Sequence, residues 1–567
     1  MCGLFSRTLL SAALLLSGWA SFARPLNQNE NSEQGETAHL RGVVINGVTR
    51  EPIGHALVFS PDNRFATMSD GQGRFEFSFP AAKGEGQNEQ IPIGALRARK
   101  PGFLEPYKWS GGTIVNGERE MTITLTPEAV ITGRVTLASA EPSDRIGVVI
   151  YRREVQNGRA HWVNSGTTTT KSNGEFRFAD LAGGTYKLFT TELLDRDPIT
   201  FNPRGQQYGY PPAYFSNTND FASASAIQLT AGTIFQADIS IARQPYYQIK
   251  IPVMNAAPNM GMEVIVSAQG RRGPGYSLGY DSDERVITGL LPNGTYALEL
   301  ASNGQNAMGG QITITVKGGP VEGPPVALAS GTAIGVNVHE EFTPAQEQPR
   351  IRVGSGVHTG RDRSLSVWLD PADDFGFERG VNLRPQSKPG DDALVLENAH
   401  PGRYWARVSS SRGYVASVIS GNLDLLHQPL VVTGGSTAPI EVTLKDDFAE
   451  IAGTVEGIPP QPTGSDGFTA TAGPAAAPSP SAFVYCVPSG DNSGEFREIP
   501  AGPDGSFMIA QIPPGTYRLL AFDGPQRELE YSDPEAMRAY DAKGQVVRLG
   551  GGQKESVRLQ LIATTGE

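Results

Sequence analysis

The side chains best able to do chemistry in this chain are its histidines, at 39, 55, 161, 339, 358, 400 and 427, and the chemistry they suggest first is zinc. A zinc site built on one element uses spacings such as His-x-x-Glu or His-Glu-x-x-His, because two ligands must converge on one ion. None of these histidines has Glu three residues on, and His339-Glu340 has no second His to complete a pair. A second string, Gly275-Tyr-Ser277-Leu-Gly279, matches a nucleophile elbow, with Asp281 and His339 downstream in the right order. An elbow works because a strained strand-to-helix turn exposes the serine oxygen. Here a polar turn leads into a strand at Val286, so no catalytic residue is assigned. No lysine follows a glycine, which excludes a Walker A phosphate loop. Asp281-Ser-Asp283-Glu284 and Asp370-Pro-Ala-Asp373-Asp374 are oxygen-rich, but neither has the full calcium-loop pattern, and both are read as solvated turns. Asn293-Gly-Thr295 is a glycosylation string better explained as a turn. The expectation is therefore no catalytic residue, no metal and no cofactor.

The most ligand-like segment is aromatic. Tyr208, Tyr210, Tyr214, Phe215 and Phe221 lie close together among Pro and Asn. Flat rings can stack on sugars or pack against extended peptides, and loops carry binding sites more often than cores do. Tyr208, Tyr210, Tyr214 and Phe215 are the candidate ligand-binding residues. That reading requires Tyr208, Tyr210 and Tyr214 to be exposed and coplanar. The competing expectation is that the loop folds back over a sandwich edge or packs on a neighbouring domain.

The elements that must position such a loop are repeated. Near the C-terminus stands Gly505-Ser-Phe507-Met-Ile509, then Ile512-Pro-Pro-Gly515-Thr-Tyr517-Arg-Leu519. The same frame recurs from Phe176 to Tyr186, Val286 to Tyr296 and Leu394 to Tyr404, always with Gly two residues before Tyr. Alternation with period two on both sides of a Pro/Gly turn predicts a β-hairpin in each copy. A degenerate copy leads the chain, with Phe75 and Phe77 answered by Gly94-Ala-Leu96. The repeat length is that of a small β-sandwich, giving five domains at 39–127, 128–244, 245–331, 332–445 and 446–562. Composition agrees with an all-β tandem array of prealbumin-like or Ig-like sandwiches: 67 Gly and 42 Pro in 567 residues, with long amphipathic helical patterns nearly absent. The single good helix candidate is 533–544, with Asp533 as cap, Pro534 in the first turn and Gly544 as terminator.

The formal net charge of −12 and the lack of a basic stripe argue against nucleic acid and against anionic membrane surfaces. Arg271-Arg272 is only a doublet. Residues 1–23 read as a signal peptide, with Arg7, an apolar run from Leu9 to Trp19, and Ser21-Phe-Ala23 as the cleavage site. No membrane span is expected after cleavage, and the chain is placed outside the cell or in the periplasm and envelope. Residues 24–38 read as a disordered leader, and 459–481 as a Pro/Ala-rich insertion in the fifth domain. Cys486 is the one cysteine left after cleavage and lies in an alternating apolar run, so a buried thiol is expected and not a disulfide.

Gly42-Val-Val, Pro52-Ile-Gly-His-Ala56-Leu-Val58 and Thr67-Met-Ser-Asp70-Gly-Gln-Gly73-Arg-Phe75 resemble the carboxypeptidase regulatory-like domain, a prealbumin-like sandwich. Later domains resemble it at the opening strands Ile131-Thr-Gly133-Arg-Val135 and Ile451-Ala-Gly453-Thr-Val455 and at Gly-x-Tyr; the third and fourth lack the opening Gly-x-Val. Tyr531-Ser-Asp-Pro-Glu followed by Gly544-Gln-Val546-Val547 is similar to the large multi-domain proteins of this family seen in soil acidobacteria. The resemblance implies accessory, non-catalytic modules, often described as having a carbohydrate-binding-like fold and also found at the front of outer-membrane receptors. The functional expectation is an exported binding or spacer protein of the cell envelope, with a polysaccharide or an envelope protein as partner. The alternatives are a carbohydrate-binding protein using the loop 208–221 and an accessory protein to a peptidase or outer-membrane receptor.

Overall fold

Alternating apolar side chains from facing strands build five large hydrophobic cores, each drawn from one continuous stretch: residues 40–125, 129–241, 249–328, 334–444 and 449–559. We refer to these as units one to five. The computed structural model describes residues 37–60, 65–80, 96–104, 120–137, 145–195, 205–269, 271–302, 308–343, 365–373, 375, 380–384, 393–433, 435–458, 482–490 and 494–563. The signal peptide, nearly all of the expected leader and the insertion 459–481 lie outside the described residues; the first strand, Thr37–Asn46, takes in the last two leader positions.

In every unit the opening strand is paired both with an antiparallel and with a parallel neighbour. Thr37–Asn46 lies between Arg74–Pro80 and Glu120–Pro127. Ala129–Leu137 pairs with Glu175–Leu181 and, in parallel, with Ile234–Gln236 and Ile239–Ile241. Gln244–Met254 has Val286–Pro292 on one side and Val321–Glu322 and Val326–Ala327 on the other. Thr332–Glu341 and Ala449–Glu456 repeat the pattern. A parallel pair needs a crossover, and here the crossover supplies the second sheet of the sandwich. Units three and four thus share the topology of the others without the opening Gly-x-Val.

The register explains that omission. Gly42 pairs with Phe75, Gly133 with Phe176 and Gly453 with Phe507. The phenyl rings lie over the glycines, so a Cβ on Gly42, Gly133 or Gly453 would come within 2.4, 2.5 or 2.6 Å of the ring tip. In unit three the equivalent pair is Pro252 with Val286, and in unit four Val336 with Leu394. In these two units no ring crosses the position, whereas at Gly42, Gly133 and Gly453 a backbone carbonyl crowds the same space as the ring.

The structure corrects the expected hairpins. Glu175–Leu181 belongs to the sheet of Ala129–Leu137, whereas Gly184–Thr190 pairs in the opposite sheet with Gly147–Gln156 and Ile227–Leu229. The segment crosses from one layer to the other, as do its counterparts in units three, four and five. Asp180, Asn398 and Gln511 take left-handed φ values of 55°, 64° and 54° just before the corner. The pairing slips between Phe178 and Leu181, bending the strand out of its sheet. Each tyrosine then enters the core and ties the corner, its hydroxyl donating to the carbonyl four residues back: Tyr186 to Ala182 at 2.9 Å, Tyr296 to Pro292 at 3.1 Å, Tyr404 to His400 at 3.0 Å and Tyr517 to Pro513 at 2.7 Å.

The helix is shorter than expected. It spans Pro534–Met537, with the Asp533 carboxylate accepting from the Glu535 amide at 2.9 Å, and a tight turn over Arg538–Tyr540 follows. With Tyr531, Met537 and Tyr540 packed against Tyr485, Val487, Leu520 and Phe522, this segment covers the outer face of unit five. Among the described residues no helix is long and apolar enough to cross a membrane.

Candidate binding cleft between units

The aromatic loop does not present one face. Tyr208 lies on the short strand Gln207–Tyr210, which pairs with Leu193–Leu194 and with the opening strand of unit three, so the loop is knitted into the next unit's sheet. Its ring is 37% exposed, with the Arg243 guanidinium 4.2 Å from its centre. Tyr210 and Phe215 pack against the core of unit two, Phe215 edge-on to Phe235 at 5.9 Å. Tyr214 is 3% exposed, stacks on Phe189 at 5.4 Å, and donates its hydroxyl to the Pro274 carbonyl at 2.6 Å. Exposed, coplanar tyrosines are therefore not what the loop makes. Tyr214 and Phe221 instead join Val149, Tyr151, Phe189 and Ala224 in a small second core on the outer face of unit two.

The catalytic strings stay apart. Ser277 forms an isolated bridge with Ile265, and the strand Gly279–Asp281 follows where an elbow needs a helix. His339 meets Glu441 at 2.9 Å in unit four, far from Ser277 in the sequence and in another unit. His427 pairs with Asp424, and His161 contacts the Asp373 carbonyl; His358 is outside the described residues. Among the described residues no three His, Cys, Asp or Glu side chains cluster as a metal site. Asp281 caps its own turn by accepting from the Asp283 and Glu284 amides. Cys486 is fully buried, and burial pushes its thiol pKa up.

What the structure brings together is a cleft of about 700 Å³ where units two, three and four meet. Unit two supplies Trp162 from the strand Arg159–Thr169, Lys187 from Gly184–Thr190, and Phe221; unit three supplies Arg271 and Arg272; unit four supplies Asp373, Phe375 and Arg403. Lys187 is only 8% exposed. Its ammonium donates to the Phe221 and Ala222 carbonyls at 2.8 and 3.0 Å and lies 5.0 Å from both the Trp162 and Phe221 rings. Phe221 is the hub, edge-on to Trp162 at 5.6 Å and to Phe375 at 5.1 Å. Arg272 bonds Glu299 through two nitrogens and reaches Asp373 of unit four at 3.3 Å. Arg271 meets Asp220 at 3.4 Å and Ser223 at 3.1 Å. Burial favours the neutral form of Asp220, but bonds from Ser223 and the Arg271 charge outweigh it and lower its pKa. Planar guanidiniums beside half-buried rings suit ligands with both an acceptor and a flat apolar face. No spacing in the sequence signals this site, since its residues come from three units; the Arg271-Arg272 doublet was the only trace of it.

A second junction holds the cluster. The hairpin tip at Asn157-Gly158 of unit two sits under Tyr531-Ser532 of unit five, with the Ser532 amide donating to the Gly158 carbonyl and its hydroxyl to the Asn157 carbonyl, both at 3.0 Å. Arg153 grips both oxygens of Glu530, and Arg159 lies 3.6 Å over the Trp405 ring of unit four. The array folds back on itself.

Compared with known families and curated proteins, the chain matches no family model and no curated sequence. Among solved structures it is similar to the shaft pilin SpaA from Lactobacillus rhamnosus GG, at 12% identity and TM-score 0.18, over 36% of this chain and 98% of that one. A streptococcal ancillary pilin gives 12% and 0.18 over 52% and 99%. The Bacillus anthracis TIE protein gives 9% and 0.14 over 76% and 72%. At scores this low, function has to be argued from this chain's own geometry.

Proposed function

We propose that this chain is an exported, non-catalytic binding protein of the cell envelope, made of five sandwich units of the carboxypeptidase regulatory-like type, whose ligand site lies between units. The supporting observation is the cleft of units two, three and four, where rings and guanidiniums from three separate units line one opening. Ligand sites favour such inter-domain clefts with a few convergent polar groups. In this reading the loop 208–221 positions the cleft, with Tyr214 and Phe221 as its supporting floor and Tyr208 outside it. The partner is a polysaccharide or an envelope protein.

The test is a pull-down of the chain lacking residues 1–23 against a panel of polysaccharides and purified envelope proteins. A Trp162→Ala/Arg403→Ala variant and a Tyr208→Ala/Tyr210→Ala/Tyr214→Ala variant run beside it. Binding by the wild type that is lost in the cleft variant is expected. Binding that survives in the cleft variant and disappears in the tyrosine variant would move the site to the loop. No capture by the wild type would overturn the binding reading.

A further inference from the structure

The chain is acidic, at −12, yet one cleft collects Lys187, Arg271, Arg272 and Arg403. Among the described residues these four cations stand beside the carboxylates Asp220, Glu299 and Asp373. The distribution matters more than the sum. Arg272 is held between Glu299 and Asp373 and serves as a tie between units three and four. Arg271 has a side chain 58% exposed and reaches Asp220 and Ser223 through Nη1 alone. Arg403 is exposed and has no ion-pair partner among the described residues. Two guanidinium forks therefore open onto the cleft with donors to spare.

Next to them is ring surface. Trp162 is half-buried, backed by Phe221 and Lys187, and its remaining surface lines the cleft. A ligand that uses both features carries a carboxylate on a rigid body with a flat apolar face. The geometry points to an acidic polysaccharide: a uronic acid segment whose C–H face lies on Trp162 and whose carboxylate is taken by Arg403 or Arg271. An acidic peptide offers carboxylates without a rigid face, and a neutral glycan offers the face without the charge. The cleft volume, about 700 Å³, is within the range of small-ligand sites. This inference rests on the inter-unit binding site proposed above and names its ligand class.

The experiment is calorimetric titration of the chain lacking residues 1–23 with three probes: a hexamer of α-1,4-linked galacturonic acid, the same hexamer fully methyl-esterified, and hexaglutamate. The acid hexamer is expected to bind at least tenfold more tightly than either of the others, and to weaken as salt is raised. Arg403→Glu, an exposed position, is expected to cost tenfold or more with an unchanged melting temperature. Trp162→Ala should weaken the acid hexamer with its fold checked the same way. Equal binding of the esterified hexamer overturns the role of charge, and equal binding of hexaglutamate overturns the sugar. Heat from none of the three overturns the uronate assignment, while the polysaccharide and protein panel decides separately whether the cleft binds at all.

Discussion

Four buried tyrosine hydroxyls make the same bond, each to a carbonyl four residues back across a corner between sheets. The ring fills the core, and the hydroxyl donates to a carbonyl at the corner where the chain changes sheets. Tyr517→Phe keeps the ring and removes the 2.7 Å bond to Pro513. It is expected to lower stability by about 1 kcal/mol in denaturant unfolding, and an unchanged midpoint would show that the bond contributes nothing. Glu192 is a different case. It lies at the joint of units two and three with Oε1 buried and without a partner among the described residues. Burial pushes its pKa up to about 7 from 4.5, while Tyr246 and the Ser277 amide act the other way. The folded state therefore keeps a proton that the unfolded chain releases. Stability is fully present below about pH 4.5 and falls as pH rises toward 7, by on the order of 3 kcal/mol. Glu192→Gln should flatten that slope, being more stable than wild type at pH 8 and equal to it near pH 4. Parallel pH–stability curves would remove Glu192 as the cause.

At the scale of elements, glycine positions divide by what crosses them. A Cβ at Gly453 would lie 2.6 Å from both the Phe507 ring and the Val557 carbonyl, whereas one at Gly335 in unit four would meet nothing nearer than 3.9 Å. Gly453→Ala is expected to destabilise unit five by about 1–3 kcal/mol through overpacking, and Gly335→Ala to stay within roughly 0.5 kcal/mol of wild type. Comparable losses from the two in thermal unfolding would mean that crowding by the ring and the carbonyl is not what demands glycine. The aromatic loop obeys the same logic of neighbours. Its strand Gln207–Tyr210 pairs with Leu193–Leu194 of unit two on one side and with the opening strand of unit three on the other, so rings that look free for a ligand in the sequence are spent on joining two units.

For the whole molecule, the decisive contacts are those that close the array. Arg153 and Glu530 are 377 residues apart and form a two-pronged pair beside the Asn157-Gly158 tip. Glu530 is largely buried there, so reversing its partner leaves two acids together. Arg153→Glu is expected to release unit five from unit two and raise the radius of gyration seen by solution scattering, and adding Glu530→Arg to restore it. An unchanged profile in the single variant would show that the clasp does not hold the units. Because Arg159 also anchors unit four through Trp405, loosening this junction should weaken ligand binding in the neighbouring cleft as well.

Residue order alone determined the all-β class, the repeated frame ending in Gly-x-Tyr and the helix start at Asp533, because alternation, turn residues and caps act over a few neighbours. Period-two alternation is the same whether successive strands pair with each other or join opposite sheets. The corner at Asp180, Asn398 and Gln511 therefore appeared only in the folded chain. The fate of Tyr214 was likewise undecided by its type, since a ring that can stack on a sugar packs equally well on Phe189. Trp162, Arg271 and Arg403 belong to three different units with no spacing to relate them, and only the packing of units two, three and four makes them one site.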